Sequence, residues 1–303
     1  MNASNLNPGL ARPKRLRIGD IEVTKVIDTV EAFSPKALYV GKDRAHFDPH
    51  LDWLQPHFVD AERRMLLSIH SFVIRTRHHT VLIDTCIGNH KRGAGFPQWN
   101  DRNGGYLDAL AAAGFLPETI DYVFCTHMHM DHTGWNTRLL DGRWVPTFPR
   151  AKYLFSRREW AAWQHSEDPH SGPVLEQNIL PIIEAGQVEW VDDSFQIDDQ
   201  LWLVPTPGHT PGHCSVALGS VGKPLAFITG DMMIHPVQIA EPDWQQHGDS
   251  DKPQAVATRT RFVDDCCDRD VLILGTHFNT PTAVHIVARS GRRYAQIRSQ
   301  EHM

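Results

Sequence analysis

Three histidines and an aspartate crowd into one stretch of the sequence, DYVFCTHMHMDHTGWN at residues 121–136. His127, His129, Asp131 and His132 form an H-x-H-x-D-H cluster directly after a short apolar run that predicts a strand. Strand alternation would project the first two histidines to one side, and the turn that follows would aim the other two residues at a second point. Neutral imidazole and carboxylate are ligands that zinc and similar ions accept. The cluster therefore predicts a metal site rather than a solvent-facing polar turn.

Three further candidate ligands each follow an apolar run that predicts a strand. His209 lies in PTPGHTPGH, Asp231 in FITGDM and His277 in LILGTHF. The prolines and glycines around His209 restrict its loop, which favours it over His213 as the ligand. A carboxylate at the end of an apolar strand is costly to bury unless cations neutralise it, so Asp231 is the expected bridge between two ions.

The seven side chains divide into two ligand sets. One ion would be held by His127, His129 and His209, the other by Asp131, His132 and His277, with Asp231 shared by both. Each ion keeps an open position for a shared hydroxide, as a catalytic site requires. Because every ligand is nitrogen or oxygen, two zinc ions are the expected cofactors, with manganese, iron or cobalt as alternatives. Asp84 and His213 are predicted to orient ligand imidazoles, with ordinary structural hydrogen bonds as the alternative.

Strand-like and helix-like patterns alternate around these residues. Apolar runs predict strands in both halves of the chain, and helical spacing predicts helices at 105–114, 157–164, 174–183 and 252–267. Strands followed by helices in each half predict an α/β fold with two mixed sheets face to face and helices outside, a four-layer αβ/βα sandwich. No linker divides the chain, so residues 1–303 are expected to form a single domain. Residues 1–14 would be an N-terminal arm, and 31–64 a candidate lid or dimerisation segment.

Composition excludes several classes of protein. The net charge of −6 and the short Lys/Arg clusters argue against a nucleic-acid partner. No run of 18 apolar residues is present to span a membrane, and the N-terminus lacks the apolar core of a secretory signal, so the cytoplasm is the expected location. The five cysteines are odd in number and form no C-x-x-C pair, which argues against a disulfide framework and a zinc knuckle.

The order of the motifs resembles the metallo-β-lactamase superfamily. The H-x-H-x-D-H cluster is followed by TPGHTPGH, by a strand that ends in GD, and by a late GTH, and the similarity covers roughly residues 80–295. Within that superfamily, ALAAAGFLPETIDYVFCTHMHMDHTGW and PGHTPGH resemble the acyl-homoserine lactonase and methyl parathion hydrolase group. The resemblance implies the αβ/βα sandwich with two metals at the rim between the sheets.

Departures from related families narrow the expected activity. True zinc β-lactamases place a cysteine near the position of Asp231, flavodiiron oxidoreductases carry a glutamate at that of His129, and too few residues follow His277 for the helical region of glyoxalase II-like enzymes. Small acyl-homoserine lactonases have a tyrosine three residues after the bridging aspartate. Ile234 occupies that position here, so the neighbouring His235 becomes the expected donor to the substrate carbonyl.

Ester hydrolysis by a metal-bound hydroxide is the predicted reaction. Two cations lower the pKa of a shared water, and Asp131 could hold that water or protonate the leaving alkoxide. The first expectation is an acyl-homoserine-lactonase-like enzyme, with a phosphotriesterase resembling methyl parathion hydrolase or an arylesterase as alternatives. A nuclease, a phosphodiesterase or a non-catalytic metal-binding relative is less favoured.

Aromatic residues near the ligands are the candidates for the substrate pocket. They are Phe96, Trp99, Trp135, Phe278 and the ring of His235. Such side chains suit an apolar acyl chain or an aryl leaving group, and core packing is the alternative for each. The expected partner is a small-molecule ester or lactone, and a homodimer is a further expectation.

Overall fold

Two mixed β-sheets dominate the computed structural model, which describes residues 15–297. The first sheet has the order β1-β2-β3-β4-β5-β8-β9. Its strands are β1 (Arg15–Ile18), β2 (Ile21–Phe33), β3 (Met65–Arg75), β4 (Thr80–Ile83), β5 (Tyr122–Phe124), β8 (Lys152–Ser156) and β9 (Val188–Val191). A separate hairpin is formed by β6 (Thr137–Leu140) and β7 (Arg143–Pro146). The predicted N-terminal arm at 1–14 lies outside the described residues.

The second sheet has six strands in the order β10-β11-β12-β13-β14-β15. They are β10 (Leu201–Pro205), β11 (Cys214–Ser220), β12 (Lys223–Ile228), β13 (Leu272–Leu274), β14 (Ala283–Arg289) and β15 (Arg292–Ile297). Both sheets mix parallel and antiparallel pairs, since β4, β5, β8 and β9 run parallel, as do β12 and β13. The remaining neighbours are antiparallel.

One buried cluster joins the inner faces of the two sheets. Phe72 and Phe124 of the first sheet and Val216 and Leu274 of the second belong to it. The next residue along β3, Val73, belongs to the second core cluster, which also contains helical residues, because successive side chains of a strand point to opposite faces. The predicted αβ/βα sandwich is therefore confirmed.

The helices contribute side chains to the second core cluster. They are α1 (Pro35–Leu38), α2 (Leu51–Leu54), α3 (Tyr106–Ala112), α4 (Met130–Thr133), α5 (Arg157–Trp163), α6 (Ser171–Val174), α7 (Leu180–Glu184), α8 (Val237–Ala240) and α9 (Lys252–Cys266). A π-helical turn at Leu175–Ile179 joins α6 to α7, and 3₁₀ turns occur at Arg44–His50, Pro97–Trp99, Pro117–Thr119, Gly134–Asn136 and Gly230–Met232. The long helix α9 begins where the Asp251 side chain accepts a hydrogen bond from the Gln254 N–H, which satisfies a free donor of the first turn. None of the helices within residues 15–297 has the length and apolarity needed to cross a membrane.

Parallel pairing brings the functional loops to one edge of the sandwich. The loops after β4 and β5 start from the same end of the first sheet, because these strands run in the same direction. The loops after β12 and β13 start from the same end of the second sheet for the same reason. Asp84, the 127–132 cluster, Asp231 and His277 all lie in these four loops.

The segment 31–64 is more regular than the sequence predicted. Its first residues extend β2 to Phe33, and α1, a 3₁₀ turn and α2 follow. Backbone hydrogen bonds tie it to the second half of the chain: Val40 N–H donates to the Gln245 carbonyl, and His247 N–H donates to the Leu38 carbonyl. The hairpin β6–β7 and the strands β14 and β15 were not predicted.

Candidate metal centre and substrate cavity

The seven predicted ligands converge at the edge where the loops meet. The ligand atoms of His127, His129 and His209 lie within 4.8 Å of one another, and so do those of Asp131, His132 and His277. Within the first set, His129 Nδ1 lies 2.9 Å from His127 Nε2 and 3.0 Å from His209 Nε2. The structure therefore brings together the two ligand sets that the sequence predicted.

Asp231 lies between the two sets. Its Oδ1 is 3.1 Å from His277 Nε2 and 3.3 Å from His132 Nε2, while its Oδ2 is 3.6 Å from His209 Nε2. One oxygen thus faces one ligand set and the second oxygen faces the other. This is the placement that a carboxylate shared by two ions needs.

The donor atoms fit cations better than they fit one another. Ring nitrogens face ring nitrogens, with His277 Nε2 only 3.2 Å from His132 Nε2, and Asp231 Oδ1 is buried without a well-formed hydrogen bond. Buried polar atoms are normally satisfied, so this convergence fits a cation held between them. Imidazole and carboxylate donors match zinc and related divalent ions.

Electrostatics differ between the two ligand sets. Burial opposes the charged imidazolium of His277, but the carboxylates of Asp231 and Asp131 outweigh it and raise its pKa to about 10. Burial together with the neighbouring His209 lowers the pKa of His129 to about 3. His129 is therefore held in the neutral form that binds a cation, whereas a cation beside His277 would have to replace its proton.

Two carboxylates contact imidazoles of the candidate ligands on the ring nitrogen that faces away from the ligand cluster. Asp84 Oδ2 lies 3.0 Å from His132 Nδ1, and its Oδ1 accepts a hydrogen bond from the Thr126 N–H at 2.7 Å, so Asp84 lies where the sequence placed it. Asp249 Oδ1 lies 3.0 Å from His209 Nδ1 and does the same for the first set. Each contact leaves Nε2 of its histidine free to face a metal ion. The sequence did not reveal Asp249, because nothing but its place in the GDSD run before α9 marks it.

His213 does not take the orienting role that the sequence gave it. Its Nδ1 lies 2.8 Å from Thr206 Oγ1, and its ring packs beside His127 at 5.2 Å between centroids without a hydrogen bond to a ligand imidazole. Gly230, with φ of +55°, passes so close that a Cβ there would lie 2.4 Å from His213 Nε2. His213 therefore packs against the backbone that leads to Asp231, which corrects the expectation.

A cavity of about 520 Å³ opens beside the ligands. Its apolar lining comes from Phe33, Leu38, Leu67, Ile69, Phe96, Trp99, Met130, Trp163, Val174 and Ile234. Phe96 and Trp99, both expected in the pocket, form one wall together with Phe33. The rings of Phe96 and Trp99 lie 4.7 Å apart, and that of Phe33 lies 5.1 Å from Phe96.

Two of the aromatic residues expected in the pocket are core residues instead. Trp135 is buried and stacks on Tyr106 with ring centroids 5.6 Å apart. Phe278 is fully buried, with its ring 6.2 Å from that of Phe58 and against the Gly275 backbone. Neither side chain lines the cavity, so core packing, the alternative considered for each, is the correct interpretation.

The structure also contradicts the donor role expected of His235. The side chain is fully buried and does not line the cavity, whereas its neighbour Ile234 does. Its Nε2 donates a hydrogen bond to the Phe58 carbonyl at 2.9 Å, and its Nδ1 accepts one from the Val237 N–H at 3.2 Å. Both ring nitrogens are therefore engaged by the backbone, and no N–H remains for a substrate oxygen.

We expect His235 to make stability sensitive to acid. Burial lowers its pKa from 6.5 to about 4, so the unfolded chain binds a proton that the folded protein excludes in this range. The stability that His235 contributes is complete above pH 6.5 and is lost as the pH falls towards 4. The loss amounts to about 3 kcal/mol, because one pKa unit corresponds to about 1.4 kcal/mol.

Urea unfolding of His235→Gln and the wild type across this pH range tests the prediction. A glutamine can still donate to the Phe58 carbonyl but does not titrate. The free energy of unfolding of the variant should therefore fall less steeply with acid. Parallel pH profiles for the two proteins would contradict the assignment, and a selective loss of ester turnover in the variant would restore the catalytic role.

Comparison with known proteins agrees with the fold. The family model described as metallo-beta-lactamase superfamily matches residues 64–265 of the chain. An N-acyl homoserine lactonase of Bacillus sp is 26% identical over 177 residues, which are 54% of this chain and 64% of the relative. The N-acyl homoserine lactonase AttM of Agrobacterium fabrum is 30% identical over 117 residues, covering 38% of this chain and 42% of the relative. The matched region thus spans less than two thirds of these relatives.

Solved structures share the fold over nearly the whole chain. The hydrolase AbOPH superposes with a TM-score of 0.77 at 24% identity, covering 96% of this chain and 99% of the other. AidC, described as a dizinc quorum-quenching lactonase, superposes with a TM-score of 0.77 at 22% identity, covering 96% of this chain and 98% of the other. With the family match over residues 64–265, these findings show that the chain belongs to the metallo-β-lactamase superfamily.

Proposed function

We propose that the protein is a dinuclear metal hydrolase that opens a lactone or cleaves a carboxylic ester. The observation that carries the proposal is the position of Asp231, whose two oxygens face two ligand sets beside an apolar cavity. The printed activity of the relatives, N-acyl homoserine lactonase, supports a lactone as the first candidate substrate. Zinc is the proposed metal, in line with the donor set and the dizinc neighbour.

Each ligand has a defined task in this mechanism. One ion would be held by His127, His129 and His209, and the other by Asp131, His132 and His277. Asp231 would contact both ions. Bound ions of this kind supply a hydroxide nucleophile near neutral pH and polarise the oxygen of the attacked group. Asp131 reaches into the cavity and keeps 12% of its side chain exposed, with Oδ2 3.4 Å from His277 Nε2. Its other oxygen is proposed to hold the proton of the attacking water and to pass it to the leaving alkoxide.

The cavity favours a substrate with an uncharged, apolar portion. Phe33, Phe96 and Trp99 offer an aromatic wall, and no Lys or Arg side chain from the described residues lines the cavity. A flexible acyl chain or an aryl group would bury its surface against such a wall. A substrate whose tail carries an anionic group would find no cationic side chain to pair with in this lining.

A phosphotriester is the second candidate substrate. Ile234 lines the cavity and cannot donate a hydrogen bond, and His235 has no free N–H. A carbonyl substrate therefore lacks the donor that the lactonase resemblance implies at this point. A phosphoryl oxygen, which the metal ions alone can polarise, depends less on that donor.

Segment 31–64 is proposed to act as a wall or lid of this cavity rather than as a free arm. Ala37 and Leu38 line the cavity, and the backbone hydrogen bonds of Val40 and His247 hold the segment next to it. The single domain over 1–303 and the homodimer also remain proposals. Light scattering of the full chain tests the homodimer.

The decisive experiment combines metal analysis with a substrate screen. Protein prepared with zinc and without chelator should contain about two ions per chain and hydrolyse one of three probes. The probes are an N-acyl homoserine lactone series, an aryl acetate and an aryl phosphotriester. Protein that holds two ions but hydrolyses none of the three would contradict the proposed activity, and a content that stays at one ion would contradict the dinuclear site.

We expect Trp99→Leu to raise KM for substrates with a long acyl chain about tenfold, with little effect on short-chain substrates. Loss of the indole removes apolar contact worth more than 1 kcal/mol from the part of the substrate that reaches this wall. Trp135→Leu is the matched control, because this tryptophan is equally buried but lies outside the cavity. The ratio of KM values for long and short chains should change only in Trp99→Leu. An equal change in both variants would exclude Trp99 from substrate binding.

A further inference from the structure

A buried carboxylate on α5 contacts both loops that carry the three-histidine ligand set. Glu159 is only 2% exposed. Its Oε1 accepts a hydrogen bond from the Met128 N–H at 3.0 Å, the backbone group between His127 and His129. Its Oε2 accepts one from the Gly212 N–H at 2.9 Å, in the loop that carries His209. One carboxylate thus connects two loops that are distant in sequence.

Hydrogen bonds stabilise the buried carboxylate of Glu159. Among residues 15–297 no Lys or Arg forms an ion pair with this carboxylate, and the adjacent Arg158 pairs with Asp193 instead. Burial raises the pKa of Glu159. A buried carboxylate is costly unless hydrogen bonds replace its water shell. The two backbone donors and the Trp163 indole N–H, which donates to Oε1 at 2.7 Å, supply those hydrogen bonds. The same indole packs edge-on to His129, 5.6 Å between ring centroids.

Local structure holds Glu159 in this position. The Ser156 hydroxyl caps α5 by accepting a hydrogen bond from the Glu159 N–H at 3.2 Å. The loop with His209 approaches so closely that a Cβ at Gly212 would lie 2.2 Å from the Glu159 backbone nitrogen, so only glycine fits there. The helix cap and the close packing of Gly212 therefore fix the position of Glu159, and its carboxylate accepts hydrogen bonds from both loops.

We infer that Glu159 is a positioning residue that holds His127, His129 and His209 in register for one metal ion. The inference rests on the ligand assignment of the proposed function. It differs from the roles of Asp84 and Asp249, which contact an imidazole directly, because Glu159 acts through the peptide groups of the loops. Without the Glu159 carboxylate, the loops that follow β5 and β10 lose the hydrogen bonds that connect them. The ring nitrogens of the three histidines are then no longer held close together.

The Glu159→Gln variant should lose metal from one position only. The glutamine keeps one oxygen, but its amide N–H₂ would face one of the backbone donors, so one loop is released. Mutation of residues that support metal ligands typically lowers metal affinity by about 10- to 100-fold. We therefore expect half-saturation of the three-histidine position to require about 10- to 100-fold more free zinc than in the wild type. Zinc content is measured after dialysis against buffers of fixed free zinc. His209→Ala and His277→Ala show which binding step belongs to which position.

Asp198→Asn is the matched control. This carboxylate is also buried, with 5% of its side chain exposed, and accepts hydrogen bonds from Thr76 Oγ1 and the Gln200 N–H. It lies by the turn that precedes β4, at the end opposite to the ligand loops. We expect Asp198→Asn to lower the melting temperature without shifting either zinc affinity.

Two outcomes would overturn the inference. Equal weakening of both positions in Glu159→Gln would indicate a general loss of structure, and unchanged affinities would show that the anchor is not needed. If Glu159→Gln does not fold, Glu159→Asp replaces it, because aspartate keeps the charge but is too short to span both loops. The same position should then weaken. A wild type that binds zinc in two steps yet hydrolyses nothing would contradict the proposed activity and leave this inference standing.

Discussion

Asp231→Asn is expected to abolish turnover and to weaken the binding of both metal ions together. Its carboxylate lies within 3.6 Å of His277, His132 and His209, so it faces both ligand sets. The amide keeps the shape but loses the negative charge. Removing one partner of a buried charge interaction costs about 3–5 kcal/mol, which corresponds to about two to four orders of magnitude in affinity.

Zinc content and ester hydrolysis of Asp231→Asn are measured at several fixed free-zinc concentrations. Asp131→Asn is the comparison variant, since Asp131 belongs to one ligand set only. It should lower the affinity for one ion while Asp231→Asn lowers it for two. Two tightly bound ions in Asp231→Asn, together with a rate near that of the wild type, would eliminate the bridging role.

The convergence of the candidate metal ligands was predictable because residue type and spacing carry most of the information. Three imidazoles and a carboxylate within six residues after a strand have few structural uses besides metal binding. His209, Asp231 and His277 could be added because each follows an apolar strand. Because neighbouring parallel strands end at the same edge of a sheet, the fold brings together the residues that the sequence pattern singled out.

Asp249 and Glu159 were harder to predict than Asp84, because only tertiary contacts bring them to the candidate ligands. Asp249 reaches His209 across 40 positions of the sequence, and Glu159 reaches Gly212 across 53. Neither lies in a motif, and many exposed Asp and Glu residues resemble them in sequence. Only the folding of their segments against the ligand loops distinguishes them.

The cavity shows a second limit of sequence reasoning. Aromatic residues near ligands could be identified, but the side of the backbone on which each ring lies could not. Trp99 lines the cavity and Trp135 stacks on Tyr106, although both are buried tryptophans in 3₁₀ turns. Ile234 and His235 are neighbours, and a one-residue difference decides which of them lines the cavity. Tertiary packing decides which of the two side chains lines the cavity, and a local sequence pattern does not predict tertiary packing.

Asp84→Asn is expected to remove His132 from the metal site. Asp84 Oδ2 accepts a hydrogen bond from His132 Nδ1–H, which leaves the Nε2 lone pair free to face a cation. In the variant, the amide oxygen can still accept from the Thr126 N–H, which places the N–H₂ group against His132 Nδ1. The imidazole would then carry its proton on Nε2, the nitrogen that the ion needs. We expect metal affinity at this position to fall by about 100-fold, with turnover falling at least as much.

Asp249→Asn makes this prediction specific. Asp249 has the same relation to His209 that Asp84 has to His132, with 3.0 Å between oxygen and Nδ1 in both pairs. The two variants should therefore weaken opposite positions: Asp84→Asn the one defined by His277→Ala, and Asp249→Asn the one defined by His209→Ala. Zinc titration of the four proteins distinguishes the positions without any substrate. If both asparagine variants weakened the same ion, or if Asp84→Asn kept two tight ions, the assignment of His132 and His209 to separate ions would be wrong.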